Sequence, residues 1–178
     1  MNDLVKSINE YYAAHDSKLR IEDPSPAFLR VLERVRIRQF LPFTARLSTE
    51  ERAAVPETVL PMLSLEEFFD GNTDEGCIWG NLSDPPPPLA DIRSFLESIR
   101  DRADVDNVYV MVTSWDGGNY WPFSDTIWIV TSASEEEVAD WIPEEYAPDE
   151  ISTGFFDHYK CEQLPIPPGM AAVSLWYD

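Results

Sequence analysis

Two strand-type runs decide the fold of this chain: VDNVYVMVT at residues 105–113 and TIWIVT at residues 126–131. Successive side chains of a strand point to opposite faces of its sheet. One face of the first run carries valines, and the other carries Tyr109 and Met111. Because both faces of both runs are apolar, we predict two strands inside a sheet, with helices packed against them.

A glycine-rich loop joins the two runs and indicates how they pair. Residues 114–125 read SWDGGNYWPFSD, and the Asp116-Gly-Gly-Asn119 sequence within them supplies the positive φ angles that a chain reversal needs. We therefore predict that the two runs form a long hairpin, and we call residues 114–125 the hairpin loop.

The size and composition of the chain fit a single domain. It has 178 residues, of which 44% are hydrophobic and 12% aromatic, so a core can form without staples. We divide the domain into a helical part at residues 1–55 and an acidic, sheet-containing part at residues 56–178.

No apolar run approaches the ~18 residues of a membrane span, and the first residues lack the features of a signal peptide. Cys77 and Cys161 form no Cys-x-x-Cys pattern. These features predict a cytoplasmic protein with reduced thiols and no membrane partner.

Negative charge is concentrated in the second part of the chain. The formal net charge is −20, yet residues 1–52 hold nine of the thirteen lysines and arginines against eight acidic residues. Between Arg102 and Lys160 there are thirteen acidic residues and no basic one. Such a field repels nucleic acid and anionic lipid and attracts basic proteins. A purely solubilising role for these carboxylates stays open as the alternative.

Two helices are predicted in the N-terminal part. Asn2 or Asp3 caps the first, and the second begins at Ser25-Pro26 and carries an apolar stripe. The other face of the second helix carries a basic stripe that comprises Arg30, Arg34, Arg36 and Arg38. Three interpretations of this stripe stay open: it lies across the acidic remainder of the same chain, meets a second copy, or faces solvent.

The Ser-x-x-Glu pattern of a capping box marks three further helix starts, because its serine and glutamate satisfy each other's free backbone donors. These starts are Ser48, Ser64 and Ser134. Another helix begins at Leu89, directly after four consecutive prolines. Shorter strands are predicted at residues 58–63, 77–79 and 170–176. Pro61 places the first of these at a sheet edge, and residues 149–154 are predicted to form a turn.

The hairpin loop contains the candidate site. It carries four aromatic residues and two carboxylates: Trp115, Tyr120, Trp121, Phe123, Asp116 and Asp125. Rings beside carboxylates can bind an anchoring side chain of a partner protein or stack on sugars, and loops commonly carry function. The alternative is that the loop folds back and its rings cap the core, because large aromatic side chains are seldom exposed in a monomer. The exposure of the rings decides between these interpretations.

The sequence lacks patterns for catalysis, metal binding or a cofactor. Residues 70–76 look like a calcium loop, but the glycine falls one place late and Asn81 stands where a bidentate glutamate is needed. His15 and His158 are far apart, and His158 with Cys161 lacks the further ligands that zinc requires. No phosphate-binding glycine loop and no nucleophile elbow is present. We therefore predict no catalytic residue, no metal ligand and no cofactor.

Three segments resemble a group of uncharacterised bacterial cytoplasmic proteins: LEEFFDGN at residues 65–72, WGNL at 79–82 and WPFSDT at 121–126. The resemblance covers about residues 59–157. In composition the chain is similar to acidic immunity-type proteins of bacterial toxin systems, which bind and block a cognate toxin and have no catalysis of their own. The resemblance implies a binding function and assigns no residue to it.

These observations predict an α+β fold, with a mixed or mainly antiparallel sheet of about four to six strands around the hairpin and several helices packed on it. The predicted function is a non-enzymatic module whose acidic face docks a basic protein, with the hairpin loop as the hot spot. Two alternatives stay open. One is a hydrolase or carbohydrate-binding protein that uses Asp116 and Asp125 in a concave pocket. The other is a homo-oligomer in which the arginine helix meets the acidic face of another copy.

Overall fold

The protein is built around a five-stranded antiparallel sheet with the strand order β1-β2-β3-β5-β4. The computed structural model describes residues 3–15, 17–35, 59–80, 82–154 and 161–178. The strands are β1 (Met62–Ser64), β2 (Val105–Met111), β3 (Thr126–Thr131), β4 (Glu150–Thr153) and β5 (Ala171–Trp176). Since β2 and β3 pair and both lie inside the sheet, the predicted α+β fold and its hairpin are confirmed.

Helices occupy the segments between and before the strands. They are α1 (Asp3–Ala14), α2 (Pro26–Val35), α3 (Leu65–Phe69), α4 (Leu89–Arg100) and α5 (Glu135–Asp140), with a 3₁₀ turn at Glu144–Tyr146. The capping boxes predicted at Ser64 and Ser134 are both complete, so sequence and structure agree on where α3 and α5 begin. The start predicted at Ser48 lies outside the described residues.

One face of the sheet carries the main hydrophobic core. Val108, Val110 and Ile127 are fully buried there, between the strands and the helices. Helix α4 packs on β2, while α3 packs on β1 and β2 and also contacts α2. The N-terminal helices share this core, because Tyr12 of α1 is only 1% exposed and lies in the same cluster.

The opposite face of the sheet is also apolar, as predicted. Trp128 is 1% exposed there and Met111 is fully buried. Among the described residues, their cover comes from the non-helical positions Leu60, Cys161 and Leu164 rather than from a helix. Alternation of apolar residues predicts that a face is covered, but it does not predict which element covers it.

Three shorter elements differ from the sequence prediction. Residues 149–154 were expected to turn, yet Glu150–Thr153 forms the edge strand β4, which pairs with β5 along its length. The strand expected at residues 58–63 is β1, shifted to Met62–Ser64 and lying at a sheet edge as Pro61 predicts. The strand expected at residues 77–79 is reduced to one bridge between Ile78 and Ser124. No helix within the described ranges has the length and apolar character needed to cross a membrane.

Candidate functional site

The structure divides the six predicted residues of the hairpin loop into buried and accessible ones. Trp115 is 2% exposed and Trp121 is 6% exposed, so both indoles belong to the core, as the alternative interpretation of the loop holds. Phe123 and Asp125 are half-buried. Asp116 is exposed, and Tyr120 is 60% exposed. A partner can contact the last four side chains without disturbing the core.

Tyr120 is held on a fixed backbone although its ring is in solvent. Trp115 Nε1 donates to the Tyr120 carbonyl at 2.7 Å, and the backbone amide of Trp121 donates to Asp74 Oδ2 at 2.8 Å. The Asn119 side chain forms two hydrogen bonds with the backbone of Glu22, at 3.0 and 2.8 Å. These hydrogen bonds hold the backbone that carries the exposed ring, so the loop itself loses little conformational entropy when the ring binds a partner.

The calcium-like segment at residues 70–76 has a structural use. Asp74 Oδ2 accepts from the hairpin loop, and Asn72 Oδ1 accepts from the Asp74 amide at 2.9 Å. Asp70 is paired with Arg93 at 3.0 Å. The oxygens that would face an ion are thus engaged in holding the fold. In the described part of the chain, no group of three potential metal-binding side chains comes together.

A groove of about 600 Å³ lies beside Tyr120 and joins distant parts of the chain. Its lining carries two basic and two acidic residues: Lys18, Arg20, Glu22 and Asp74. Neither Lys18 nor Arg20 forms an ion pair with any described residue. These two bases escaped the sequence interpretation because about 100 residues separate them from Tyr120 along the chain. The formal charges of the groove lining sum to zero, because the two basic residues are balanced by the two acidic ones.

Asp116 and Asp125 are the carboxylates of the alternative hydrolase interpretation. Neither lines the groove beside Tyr120. Asp125 Oδ1 accepts from the Thr126 hydroxyl at 2.7 Å, and its carbonyl accepts from the Tyr177 amide at 2.9 Å. Asp125 thus joins the loop to the C-terminal residues, and no described geometry pairs it with Asp116 as an acid and a base.

Exposed carboxylates gather on the side of the molecule formed by α5, the 3₁₀ turn, β4 and the C-terminal residue. We call this set the acidic surface: Glu135, Glu136, Glu137, Asp140, Glu144, Glu145, Asp149, Glu150 and Asp178. The elements are in contact, because α5 packs on β4 and the Asp178 amide donates to Asp149 Oδ2 at 2.9 Å. None of these carboxylates forms an ion pair with a described residue.

Aromatic rings support the acidic surface from below. Trp79, fully buried, lies with its ring centroid 4.6 Å from Tyr177 and 5.7 Å from Tyr146. Tyr177 donates its hydroxyl to the Tyr146 carbonyl at 3.1 Å, which fixes the 3₁₀ turn. Burial raises the pKa of Tyr146, and the negative charges of Asp91 and Glu145 raise it further. Asp91 and Glu145 are thus close enough to the Tyr146 ring to act on its hydroxyl.

Five of the eight described lysines and arginines form ion pairs within the chain. On the outer side of α2, α3 and α4, Arg34 pairs with Glu67 and Glu162, while Arg100 pairs with Glu66. Arg34 of the basic stripe therefore contacts acidic residues of its own chain, which was the first of the three interpretations. Arg36 and Arg38 lie outside the described residues. Arg102 is a basic side chain beside the acidic surface: it pairs with Asp104 at 3.2 Å, and its guanidinium lies 3.8 Å from the centre of the Trp141 ring at the end of α5.

The cysteines show no sign of activation. Cys77 is 5% exposed, and its Sγ accepts from Asn72 Nδ2 at 3.2 Å. Burial raises the pKa of the Cys77 thiol to about 12, and burial also raises the pKa of Cys161. A nucleophilic cysteine needs the opposite shift, because the thiolate is the reactive form.

Comparison with known proteins gives a family and no function. The chain is 41% identical over 123 residues to "Uncharacterized protein YfbO" of Escherichia coli (strain K12), an alignment that covers 69% of this chain and 86% of the relative. No solved structure matches. The family described as the Uncharacterized protein YfbO family matches residues 35–175, which is more than half of the chain and includes the hairpin loop and all of the acidic surface except Asp178. The chain therefore belongs to the YfbO family.

Proposed function

We propose that this protein is a non-enzymatic binding module whose acidic surface docks a basic protein partner. One observation carries the proposal: nine exposed carboxylates lie on connected elements, and none is neutralised by a described lysine or arginine. Elsewhere in the described part of the chain, arginines such as Arg34 and Arg100 do form ion pairs with carboxylates. A protein of the immunity or inhibitor type works in this way, because it blocks its partner by covering it.

Charge complementarity raises the association rate and the selectivity of such a module. An unpaired field of one sign steers a basic partner and raises the association rate, and it rejects acidic proteins and nucleic acid. The field of exposed charges decays over about 8 Å at physiological salt, so the association rate falls as salt is added. Docking that is insensitive to salt would contradict the proposal.

The accessible residues of the hairpin loop form the second part of the proposed contact. Asp125 adjoins the acidic surface through Tyr177, while Tyr120 offers an exposed aromatic ring beside the groove. Trp115 and Trp121 contribute by holding the backbone that carries this ring. The partner then carries a basic region that faces the carboxylates and an apolar side chain that faces Tyr120.

The test is a binding measurement with a purified partner. Proteins captured by the immobilised chain from a lysate of the source organism at low salt, and released by a salt gradient, are identified and purified. The dissociation constant is then measured for a variant in which Glu136, Asp140, Glu144 and Glu145 are replaced by their amides. We expect it to rise at least about tenfold, because four long-range attractions are lost.

A matched control removes the same charge elsewhere. Replacing Asp3, Glu10, Asp23 and Glu33 by their amides also changes the net charge by four units, but at exposed positions in the N-terminal part. We expect this variant to bind almost as the parent does. Equal losses in both variants would show that net charge alone, and not the acidic surface, attracts the partner.

A further inference from the structure

The two edge strands of the sheet, β1 and β4, differ in whether their outer backbone groups are hydrogen-bonded within the chain. The outer edge of β1 is closed, because Leu60 forms a bridge with Cys161 and the Leu60 carbonyl accepts from the Glu162 amide at 2.9 Å. The Met62 amide donates to the Glu162 carboxylate at 3.1 Å. The backbone groups at that edge are thus occupied by the same chain.

In the part of the chain that the structure describes, the edge formed by β4 is open along most of its length. Ser152 is paired with Ser174 of β5, and the Gly154 amide donates to the Ala172 carbonyl at 2.9 Å. Alternation along an antiparallel strand then directs the backbone groups of Ile151 and Thr153 away from β5. Within the described ranges, no strand pairs with them.

One side chain protects this edge. Glu135 of α5 accepts a hydrogen bond from the Thr153 amide at 2.6 Å, in the place where a neighbouring strand would offer a carbonyl. Glu150, at the start of β4, is exposed. Carboxylates along an edge repel an edge of the same charge, which prevents two copies of an acidic protein from pairing. A basic strand meets no such repulsion.

We propose that β4 receives an extended basic segment of the partner as an additional strand of the sheet. The inference rests on the proposed function, because the acidic surface attracts the segment, and it adds the mode of binding. The segment's backbone pairs with Ile151 and Thr153, and one of its carbonyls replaces the Glu135 carboxylate at the Thr153 amide. The displaced Glu135 and Glu150 then face its basic side chains.

The test uses two synthetic peptides of equal charge. One is Arg-Val-Arg-Val-Arg-Val, and the other has the same sequence with N-methyl groups on alternate amides, which removes the backbone donors of one edge. We expect the first peptide to bind at least about tenfold more tightly at low salt, as measured by fluorescence anisotropy, because backbone pairing provides affinity in strand addition. The amide signals of Ile151 and Thr153 should shift in ¹⁵N spectra.

Two variants separate strand addition from simple charge attraction. Glu135→Ala frees the Thr153 amide and leaves the Ser134–Glu137 capping box intact. We expect it to bind the unmodified peptide about fivefold more tightly, because no internal hydrogen bond must be displaced. Glu136→Ala is the control, since it removes the same charge without touching β4, and we expect binding about twofold weaker.

The outcomes distinguish this inference from the function on which it rests. If both peptides bind equally and Glu135→Ala weakens binding as Glu136→Ala does, strand addition is wrong and the acidic surface still docks basic segments. If neither peptide binds at low salt, both the inference and the proposed attraction are overturned.

Discussion

Arg34 and Glu162 form a two-pronged ion pair that joins α2 to the edge of the sheet. Arg34 Nη1 donates to Glu162 Oε1 at 3.1 Å, and Nη2 donates to Oε2 at 2.9 Å. Arg34 Nη2 also donates to the Met62 carbonyl at 2.9 Å, while the Met62 amide donates to Glu162 Oε2 at 3.1 Å. Each partner thus satisfies a backbone group of β1, and the contact spans 128 positions in the sequence.

Glu162→Gln should lower the free energy of unfolding by about 1–2 kcal/mol, because it weakens a charged, bidentate contact and its bond to the sheet edge. The Arg34 and Glu162 side chains are 39% and 35% exposed, so solvent screening keeps the loss of stability below that caused by breaking a buried pair. Urea denaturation measures it. The control is Glu10→Gln, whose ion pair with Lys6 is 3.8 Å long and about two-thirds exposed, and which should change stability by less than about 0.5 kcal/mol. Equal effects of the two substitutions would contradict this account.

Gly117 is required where the hairpin loop meets α1. Its φ is +95°, and a Cβ there would lie 2.4 Å from Tyr12 Oη. Gly154 has nearly the same φ, +93°, with nothing within 4 Å of its Cβ position. We expect Gly154→Ala to cost about 1 kcal/mol for backbone strain alone, and Gly117→Ala to cost about 1–3 kcal/mol more for the clash. Thermal unfolding of the two variants isolates that difference.

The clash assigned to Gly117 can be relieved from the other side. Tyr12→Phe removes the Oη atom, so adding it to Gly117→Ala should restore part of the lost stability, with a coupling of at least about 1 kcal/mol in a double-mutant cycle. Additive effects of the two substitutions would show that Tyr12 does not limit this position.

Sequence patterns predicted the parts of the fold that depend on local chemistry. The runs around Val108 and Ile129 are apolar on both faces. A strand of this kind is stable where both of its faces are covered, whichever elements provide the cover. Ser64 and Ser134 begin helices because the donors they satisfy lie three residues away. Neither inference needs knowledge of distant parts of the chain.

Features that depend on distant contacts were missed. Residues 150–153 have weak strand character, and they pair because β5 offers them an edge. Lys18 reaches the groove beside Tyr120 only because Asn9 holds the Ile21 backbone with two hydrogen bonds of 2.9 Å. The loop aromatics looked alike in sequence, but their burial depends on distant elements: Phe28 of α2 packs on Trp121 with ring centroids 5.7 Å apart, whereas Tyr120 is 60% exposed.

Tyr120 and Trp121 are neighbours with opposite roles. Tyr120→Ala should leave the free energy of unfolding within about 0.5 kcal/mol of the parent and lower affinity for the docked partner about tenfold, because it removes an exposed anchor. Trp121→Ala should destabilise the protein by about 3–5 kcal/mol through the cavity it leaves. Urea denaturation and binding titrations on both variants check this. Unchanged docking in folded Tyr120→Ala would remove the loop from the proposed contact.

Cys77 should make the protein sensitive to alkaline pH. Burial raises the pKa of its thiol from 9.0 to about 12, and the charges of Asp74 and Glu75 act in the same direction. Above pH 9 the unfolded chain releases the thiol proton while the folded protein keeps it, so the unfolded state binds fewer protons and stability falls as pH rises. The contribution present at neutral pH is fully lost only above pH 12.

Between pH 8.5 and 10.5 this linkage amounts to about 2 kcal/mol. Urea denaturation at these two pH values should show that the parent loses about 2 kcal/mol more than Cys77→Ala, which has no thiol to titrate. Burial also raises the pKa of Tyr12 and Tyr177, so some alkaline loss remains in the variant. Parallel pH profiles for parent and variant would show that the Cys77 thiol ionises as readily in the folded protein as in the unfolded chain.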